Sequence, residues 1–526
     1  MKNKISYLIV AFIALFYLQS AQAQVMYEWS RSYDGGSIDG ALLVSPEGSN
    51  FIHIAGTTQV GTDNKLIIRK YRTNGNLQWS RISPSSIPGT IRWIKRDASF
   101  NTYMICYSIS GYTLLKFGAD AHLKWTKTIA ESPAGLEVKG NRVYTGGQAT
   151  TGFFVRCYRT SDGGTVWTRT EGNGYNGRAF TIDNAGNTYV GGSAEGPSYQ
   201  EQMYIVKFNA SSPSPVLSIR YAGPDNYPWN SSQILRIDAG GNIYSCGEVD
   251  AFGSGGQNQT VVKFNPAGTF QWKQYIVTTG GAEWGGVDDF IFDAFQNPVL
   301  IGDKSYHDDI HEAQRMFVTK LNRSTGVKLF YVYPNDPTLS NPELYEYSNN
   351  CTTDSYGNIY FGGYGNYGAG PGVYRWAITK VDGMTGDLRW IEAGSSFTGA
   401  NFVNSIYVSA GGNVYCGISE ASATVDMVLE KFSQPGGGLR LRAENNSFPP
   451  AIAYPNPSTD EFTLRFESDQ VATDAVLMDI SGKIIAQYAQ LSGDFKFGKN
   501  LAPGIYYLNL SSNSGRQTIR LVKTDR

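Results

Sequence analysis

One phrase recurs along most of the chain and constrains its fold more than any other feature. An apolar segment leads into D-x-x-G-N, and a second apolar segment ending in glycine follows. The clear copies are residues 182–192, 237–247 and 353–363; the weaker ones are 44–56, 96–107, 138–147, 292–302 and 408–417. The aspartate can hydrogen-bond the backbone of its own turn, and the glycine tolerates a positive φ. Each copy therefore predicts a tight β-hairpin.

A second phrase follows each copy at a variable distance. It consists of an apolar strand, a lysine next to an aromatic residue, a turn, and G-x-x-x-W. Its copies are residues 67–79, 113–125, 155–167, 261–272 and 378–390, with looser ones at 204–217 and 317–330. Two hairpins in each unit predict a four-stranded antiparallel meander. Strands such as VVKF (261–264) are apolar on both faces, which is typical of sheets buried between neighbouring sheets.

The last copy of the second phrase, residues 427–433, stops before its tryptophan strand. An unmatched strand with a tryptophan, YEWSRSY, stands at residues 27–33. Sheets stacked radially form a β-propeller, and an N-terminal strand that completed the last unit would close the ring and hide its edges. The turn position advances 364 residues in seven intervals, from Gly48 to Gly412, a mean of about 52. We expect an all-β protein with an eight-bladed propeller; seven blades are the alternative.

The N-terminus has the pattern of a signal peptide. Lys2 and Lys4 precede an apolar run over 5–18, and Ala21-Gln22-Ala23 is an A-x-A cleavage site. The run is short for a membrane anchor, the alternative interpretation, and we expect no transmembrane span in the mature chain. This organisation predicts a signal peptide (1–23), a propeller (24–433), a Gly-, Pro- and Asn-rich linker (434–450) and a C-terminal module (451–526).

Composition excludes several classes of protein. A net charge of −1 argues against a nucleic-acid binder, and 13% aromatic residues argue against disorder. Five cysteines, an odd number with no C-x-x-C, make neither a disulfide framework nor a cysteine-based metal site; they are Cys106, Cys157, Cys246, Cys351 and Cys416. We predict no cofactor.

The paired phrases resemble the SBBP repeats of bacterial secreted proteins over roughly residues 25–433. This resemblance implies a propeller and is poorly diagnostic of activity. Two copies depart from the pattern, because Phe100 and Gln296 stand where the turn glycine is expected.

The C-terminal module resembles the type A sorting domain of type IX secretion, a system of the Bacteroidota. The matching residues are Tyr454-Pro455-Asn456-Pro457, the stretch 477–483, the stretch 501–507, and Leu521-Val522-Lys523. The resemblance implies that the type IX machinery is a partner through 451–526. It also implies that the protein reaches the medium or the outer-membrane surface after periplasmic export. A small β-sandwich is expected, and a carbohydrate-binding module is the alternative.

Propeller geometry places the connections between the second and third strands, and between blades, on one rim. We expect nearly all of the loop length on this rim, in segments 82–93, 169–179, 221–233, 249–259, 278–289, 303–315, 334–350, 364–376 and 392–405. Long loops on a rigid scaffold commonly carry function, and aromatic side chains suit recognition of sugars or proteins. The predicted ligand contacts are Trp93, Tyr227, Trp229, Trp284, Tyr345 and Tyr367.

Two weaker sets of candidates lie on the same rim. Asp225, Glu283 and Asp288 could perform glycoside hydrolysis if two of them faced a pocket, although Asp288 could simply begin an inner strand. His307, Asp309 and His311 could hold a divalent cation, although a solvated polar loop is the favoured interpretation. The favoured function is a non-enzymatic secreted or cell-surface protein that binds a glycan or a protein. A secreted glycoside hydrolase or lyase and a structural surface component remain alternatives.

Overall fold

A computed structural model gives the protein as strands and turns. It describes residues 25–525 except 37, 197–200, 213, 223–229, 249–257, 278–284, 308–311, 335–345, 366–373, 395–400, 422–424, 435–450, 457, 467–471, 480–483, 492–493 and 513–514. Within these residues there is no helix, and accordingly none with the length and apolar character needed to cross a bilayer. The described chain divides into two compact units, which hold the strands before and after residue 434.

The first unit contains eight sheets of four strands, which we number as blades in chain order. Blade 1 is β2 (Asp39–Glu47), β3 (Phe51–Val60), β4 (Asp63–Arg72) and β5 (Leu77–Ser86). Blade 2 is β6 (Thr90–Arg96), β7 (Thr102–Ser108), β8 (Gly111–Phe117) and β9 (Leu123–Ile129). Blade 3 is β10 (Ser132–Lys139), β11 (Arg142–Gln148), β12 (Phe153–Arg159) and β13 (Thr165–Glu171). Blade 4 is β14 (Gly174–Ile182), β15 (Thr188–Glu195), β16 (Glu201–Phe208) and β17 (Leu217–Tyr221).

The second half of this unit follows the same order. Blade 5 is β18 (Ile234–Ile237), β19 (Ile243–Glu248), β20 (Gln259–Phe264) and β21 (Phe270–Val277). Blade 6 is β22 (Gly285–Phe292), β23 (Pro298–His307), β24 (Glu312–Leu321) and β25 (Lys328–Val332). Blade 7 is β26 (Glu346–Thr353), β27 (Ile359–Gly365), β28 (Arg375–Val381) and β29 (Leu388–Ala393). Blade 8 is β30 (Phe402–Val408), β31 (Val414–Ala421), β32 (Val425–Ser433) and β1 (Met26–Tyr33).

Blade 8 is completed by the N-terminal strand, because its strand order is β1-β32-β31-β30. The first strand of every blade packs against the first strand of the next, and β2 of blade 1 packs against β30 of blade 8. The ring is therefore closed, and these first strands form its inner wall. The prediction of an eight-bladed propeller closed by the N-terminal strand is confirmed.

The D-x-x-G-N turns are held by more hydrogen bonds than turn chemistry alone requires. The carboxylate of Asp183 accepts the backbone N–H groups of Ala185 and Asn187, the Asn187 amide at 2.7 Å, and the Tyr189 hydroxyl at 3.0 Å. Asp97, Asp238 and Asp354 repeat this arrangement in blades 2, 5 and 7. The motif therefore fixes the first hairpin of a blade through its Asn and Tyr as well as its Asp.

Phe100 and Gln296 adopt the left-handed backbone of the glycines they replace, each with φ of 62°. The Phe100 ring stacks on His53 of blade 1 at 4.8 Å between centroids, and Gln296 Oε1 accepts the backbone N–H of Ala239 in blade 5 at 2.9 Å. In both copies the residue adopts a backbone conformation that is rare for residues other than glycine, and its side chain contacts the preceding blade.

The apolar core lies between blades. One cluster joins Val155 of blade 3 to Val190 of blade 4, and another joins Leu300 of blade 6 to Val261 of blade 5; all four side chains are fully buried. This explains why the strands are apolar on both faces, as each sheet packs against a neighbour on both sides.

The longer connections occur mainly in the second half of the ring. The expected loops 82–93 and 169–179 are wrong, because β5 reaches Ser86, β6 begins at Thr90, β13 reaches Glu171 and β14 begins at Gly174. Only residues 87–89 and 172–173 connect these strands. The longer connections are 222–233, 249–258, 278–284, 333–345, 366–374 and 394–401, which belong to or join blades 4 to 8.

The second unit is a small β-sandwich. One sheet has the order β33 (Ala451–Tyr454), β34 (Phe462–Phe466), β37 (Phe495–Phe497). The other has the order β36 (Ile484–Leu491), β35 (Ala472–Asp479), β38 (Gly504–Ser512), β39 (Gly515–Lys523). Its core contains buried side chains from both sheets, including Phe462, Leu477 and Leu508.

Two of the phrases that match the sorting domain are joined in the second unit. Asn456 Oδ1 accepts the backbone N–H of Val522 at 2.9 Å, and Ser458 bridges to Lys523. The Lys523 side chain is buried and donates to the Gly498 carbonyl at 3.1 Å. The Y-P-N-P and L-V-K phrases, far apart in sequence, thus form one structural feature.

Candidate functional site

The inner strands share an irregularity at one position. In seven of them a β-bulge or a wider irregularity interrupts pairing with the second strand, three residues before the position opposite the motif tyrosine, which is replaced by His53 in blade 1 and by Val299 in blade 6. In blade 5, Gln233 occupies the same position just before β18. We call this set the bulge ring: Leu42, Arg92, Ala134, Arg178, Gln233, Asp288, Asn349 and Asn404. Bulges re-aim side chains and are frequent next to active sites.

Some bulge-ring residues are more exposed to solvent than the residues next to them on the same strands. Arg92, Arg178 and Asp288 are exposed, whereas Ala179 and Val403, each adjacent to a ring position, are buried. Because inner strands pair on one side only, a bulged residue that solvent reaches lies on the inner wall of the ring. Among the residues whose side chains the structure describes, blades 5, 6 and 8 contribute an amide or carboxyl group at these positions, namely Gln233, Asp288 and Asn404. The longer connections belong to the same part of the ring.

Asp288 and Asp303 form an interacting pair of carboxyl groups. Asp303 lies on β23, and Ser348 Oγ on β26 of the next blade donates to Asp288 Oδ2 at 2.6 Å. Gln314 Nε2 donates to Asp303 Oδ2. Although solvent reaches Asp288, the surrounding blades remove much of the hydration of both carboxyl groups. This burial raises the pKa of Asp288 and Asp303, and the charge of Asp288 further raises that of Asp303, so the pair holds a proton above the ordinary aspartate range.

Asp289 has a structural role instead. It accepts hydrogen bonds from Arg236 of blade 5 at 3.2 Å and from the backbone N–H of Cys351 in blade 7 at 3.1 Å. It therefore ties three successive inner strands together. Burial raises the pKa of the Cys351 thiol well above its usual value, and the Asp289 charge adds to this effect.

Glycoside hydrolysis needs two carboxyl groups about 5–5.5 Å apart in retaining enzymes, or about 6.5–9.5 Å apart in inverting enzymes. Asp225 and Glu283 lie outside the described residues, so the catalytic role predicted for them with Asp288 stays a prediction.

Other side chains extend the polar surface toward blade 8. Asn404 Nδ2 donates to Ser419 Oγ at 2.8 Å, and Asn350 Nδ2 donates to the Val403 carbonyl at 2.9 Å. Beside them is an aromatic group in which Tyr364 makes edge contacts with Phe402 and Tyr374, with centroids 4.7 and 5.8 Å apart. Phe402 is two residues before Asn404 on β30. Hydrogen-bonding groups and aromatic rings therefore adjoin each other in blades 7 and 8.

The structure describes few of the predicted ligand and metal residues. Trp93 lies in β6 rather than in a loop, half-buried against the cluster that holds Ile105 and Leu136. The other predicted ligand contacts, Tyr227, Trp229, Trp284, Tyr345 and Tyr367, lie outside the described residues. His307 ends β23, opposite Glu312, while Asp309 and His311 also lie outside the described residues. These roles stay predictions.

Sequence reasoning missed the bulge ring. Asp303 and Ser348 carry no motif, and only the pairing register shows that position 288 is bulged next to them. A usable signal was present, because in blades 2, 4, 5, 7 and 8 the bulge-ring residue stands eleven positions before the motif tyrosine.

The fold and the second unit define the class of molecule: a closed eight-bladed propeller followed by a sorting domain. Residues 452–524 match the model of the family described as secretion system C-terminal sorting domain. The module therefore directs export to the medium or the cell surface through type IX secretion, as its motifs predicted. A comparison with curated protein sequences found no match.

Solved propeller structures resemble the chain at low sequence identity. BamB from Moraxella catarrhalis is 14% identical, with 78% of this chain and 100% of that chain covered and a TM-score of 0.45. PorZ, a surface component of the type IX secretion system of Porphyromonas gingivalis, is 12% identical, with 90% and 68% covered and a TM-score of 0.38. The Dos1 propeller is 10% identical, with 78% and 95% covered and a TM-score of 0.47.

Proposed function

We propose that this chain is an exported, non-enzymatic binding protein that holds a glycan over blades 5 to 8. The observation that carries the proposal is that the bulge-ring positions of blades 5, 6 and 8 hold Gln233, Asp288 and Asn404. Amide and carboxyl groups offer donors and acceptors together, which is what sugar hydroxyls require. Burial and the charge of Asp288 raise the pKa of Asp303 to about 8, which adds a carboxyl group able to donate as well as accept.

The aromatic group of blades 7 and 8 supports the same class of ligand. Tyr364, Tyr374 and Phe402 adjoin Asn404, and aromatic rings complement the apolar faces of sugars. The aromatic residues predicted in the longer connections, such as Trp229 and Trp284, would add to this surface.

We also propose that the protein is exported in two steps. Residues 1–23 act as a signal peptide for transfer to the periplasm of a bacterium of the Bacteroidota, and the type IX machinery then recognises 451–526. The SBBP-like repeats of 24–433 supply a rigid platform, and 434–450 links the two folded parts. The protein acts in the medium or at the outer-membrane surface.

The test is a glycan array followed by isothermal titration calorimetry with the exported chain. Asn404→Ala and Asp288→Asn should each weaken affinity by about two- to tenfold, the usual effect of losing one hydrogen bond. Leu42→Ala and Ala134→Ser, at bulge-ring positions beneath shorter connections, are matched controls and should bind as the parent does.

Three outcomes would contradict the proposal. One is the absence of binding to any glycan. The second is the same affinity in all four variants. The third is turnover of a polysaccharide that Asp225→Ala or Glu283→Ala abolishes, which would favour the enzyme. Capture of a protein partner whose affinity depends on Asn404 would support the proposed site but show that its ligand is a protein rather than a glycan.

A further inference from the structure

Three carboxylates converge where the ring closes. Asp34 directly follows β1, Asp39 is the first residue of β2, and Asp426 lies in β32. One oxygen from each lies within 4.8 Å of the others. Since β1 and β32 belong to blade 8 and β2 to blade 1, the three groups come from both sides of the closing junction.

The Asp39 carboxylate is buried and has no counter-charge among the described residues. Asp39 is 0% exposed; its Oδ2 accepts the backbone N–H of Gly35 at 2.5 Å, and its Oδ1 has no hydrogen-bond partner among the described residues. Asp34 accepts the backbone N–H of Gly36 at 2.7 Å. In the part of the chain that the structure describes, neither Asp34 nor Asp39 makes an ion pair with a basic side chain. A buried carboxylate in this state strongly favours binding a cation.

A fourth oxygen faces the same space. Thr58 pairs with Asp39 across β2 and β3, is 1% exposed, and its Oγ1 has no hydrogen-bond partner among the described residues. A Cβ atom placed on Gly35 would lie 2.8 Å from Thr58 Oγ1 and 3.1 Å from each Asp39 carboxylate oxygen. The hydroxyl and the carboxylate therefore border one small space, which the absence of a side chain at residue 35 leaves open.

A fourth carboxyl group lies beside this cluster. Glu420 stands opposite Asp426 across β31 and β32.

We propose that Asp34, Asp39 and Asp426, together with the Thr58 hydroxyl, bind one Ca²⁺ that fastens blade 1 to the closing strand. All four ligands offer oxygen, which Ca²⁺ prefers at about 2.3–2.6 Å, so that its ligand oxygens lie up to about 5 Å apart. Mg²⁺ demands a smaller and near-ideal octahedron, for which side chains on three separate strands and a loop are poorly suited. The inference is independent of the ligand proposed for blades 5 to 8.

The test measures Ca²⁺ binding to the chelator-treated full chain by calorimetry, together with its melting temperature. We expect one Ca²⁺ per chain, with a Kd of about 10⁻⁴–10⁻³ M, the range of extracellular modules. Saturating Ca²⁺ should raise the melting temperature and slow hydrogen exchange in β1, because the ion binds only the closed ring.

Two variants separate binding from folding. Asp34→Asn changes an exposed side chain, and Asp426→Asn a half-buried one; both should fold, weaken Ca²⁺ binding by about tenfold or more and lose most of the thermal shift. Asp120→Asn, which removes an exposed carboxylate of blade 2 that pairs with Lys124 at 2.8 Å, is the matched control and should bind as the parent does. No Ca²⁺ binding by the parent, or parental affinity in both variants, would overturn the site. An equal thermal shift with Mg²⁺ would overturn the choice of Ca²⁺.

Discussion

The indole of Trp29 packs against Gly75, so that a Cβ atom on that glycine would lie 2.9 Å from Trp29 Cδ2. Trp125 of blade 2 bears the same relation to Gly163 of blade 3, where the corresponding distance is 2.8 Å. The G-x-x-x-W phrase therefore links blades, because the glycine of one blade receives the tryptophan of the blade before it. Trp29, from the N-terminal strand, continues this series across the junction between blade 8 and blade 1.

Trp29→Ala should therefore destabilise the ring as much as an interior substitution does. Trp29 is 8% exposed and contacts Tyr71 of blade 1 as well as Tyr415 of blade 8. Loss of a buried tryptophan costs about 3–5 kcal/mol. Chemical denaturation should show a similar loss for Trp125→Ala, the interior reference. Unfolding of Trp29→Ala at the same midpoint as the parent would show that the strand does not close the ring.

The tyrosine that follows the D-x-x-G-N turn should stabilise the protein through the hydrogen bond of its hydroxyl group. Tyr244→Phe removes the hydrogen bond to Asp238 Oδ2, 3.1 Å long, and should cost about 1.5–3 kcal/mol, because the acceptor is a buried carboxylate. Tyr144→Phe is the control in blade 3, whose turn lacks the aspartate, and should cost less. Equal losses in urea denaturation would mean that the Asp–Tyr bond adds nothing.

The carboxyl pair should make stability depend on pH. The pKa of Asp303 in the folded protein lies above the unfolded value of about 3.9. Its favourable contribution to the free energy of unfolding is therefore complete below about pH 3.9, and it is lost as the pH rises through the folded pKa. Asp303→Asn, which stays neutral, should therefore melt higher than the parent at about pH 8 and gain nothing at about pH 4.

Asp382 supplies a control of opposite sign. Burial acts to raise its pKa, but Arg389 and backbone hydrogen bonds outweigh burial and lower it. Asp382→Asn should therefore lose more stability at about pH 8 than at about pH 4. If Asp303→Asn followed the same trend as Asp382→Asn, the two carboxyl groups would not share a proton.

The second unit should decide where the protein goes. A chain ending at residue 450 should be retained in the cells of a bacterium with type IX secretion, while the full chain appears in the medium or at the surface. Fractionation followed by immunoblotting measures the distribution. Lys496→Ala is a suitable control, because its exposed ion pair with Glu461 should contribute little to folding. Export of the shortened chain would contradict the role of the module.

The ring could be predicted from the sequence because the signals that define each blade are local and recur along the chain. The Asp183 turn and the Trp125 strand each reappear with the same neighbours, so eight weak signals support one architecture. The strand at 27–33 was predictable because residues 427–433 lacked a partner. The bulge at Asp288 and its contacts with Asp303 and Ser348 were not predictable, since they depend on the register between strands and on which blades adjoin. Loop length was overestimated near blade 2, where the strands extend to Ser86 and begin again at Thr90.

Hydrogen exchange in a chain lacking Tyr27–Tyr33 tests the closed ring most directly. In the parent, β32 is paired on both sides, by β31 and by β1. Without β1 it becomes an edge strand, so we expect faster exchange at the amides of Val425–Ser433 that had bonded to β1. The amides of β28, which keeps both of its partners, should be unchanged. Equal protection of β32 with and without the N-terminal strand would contradict the account.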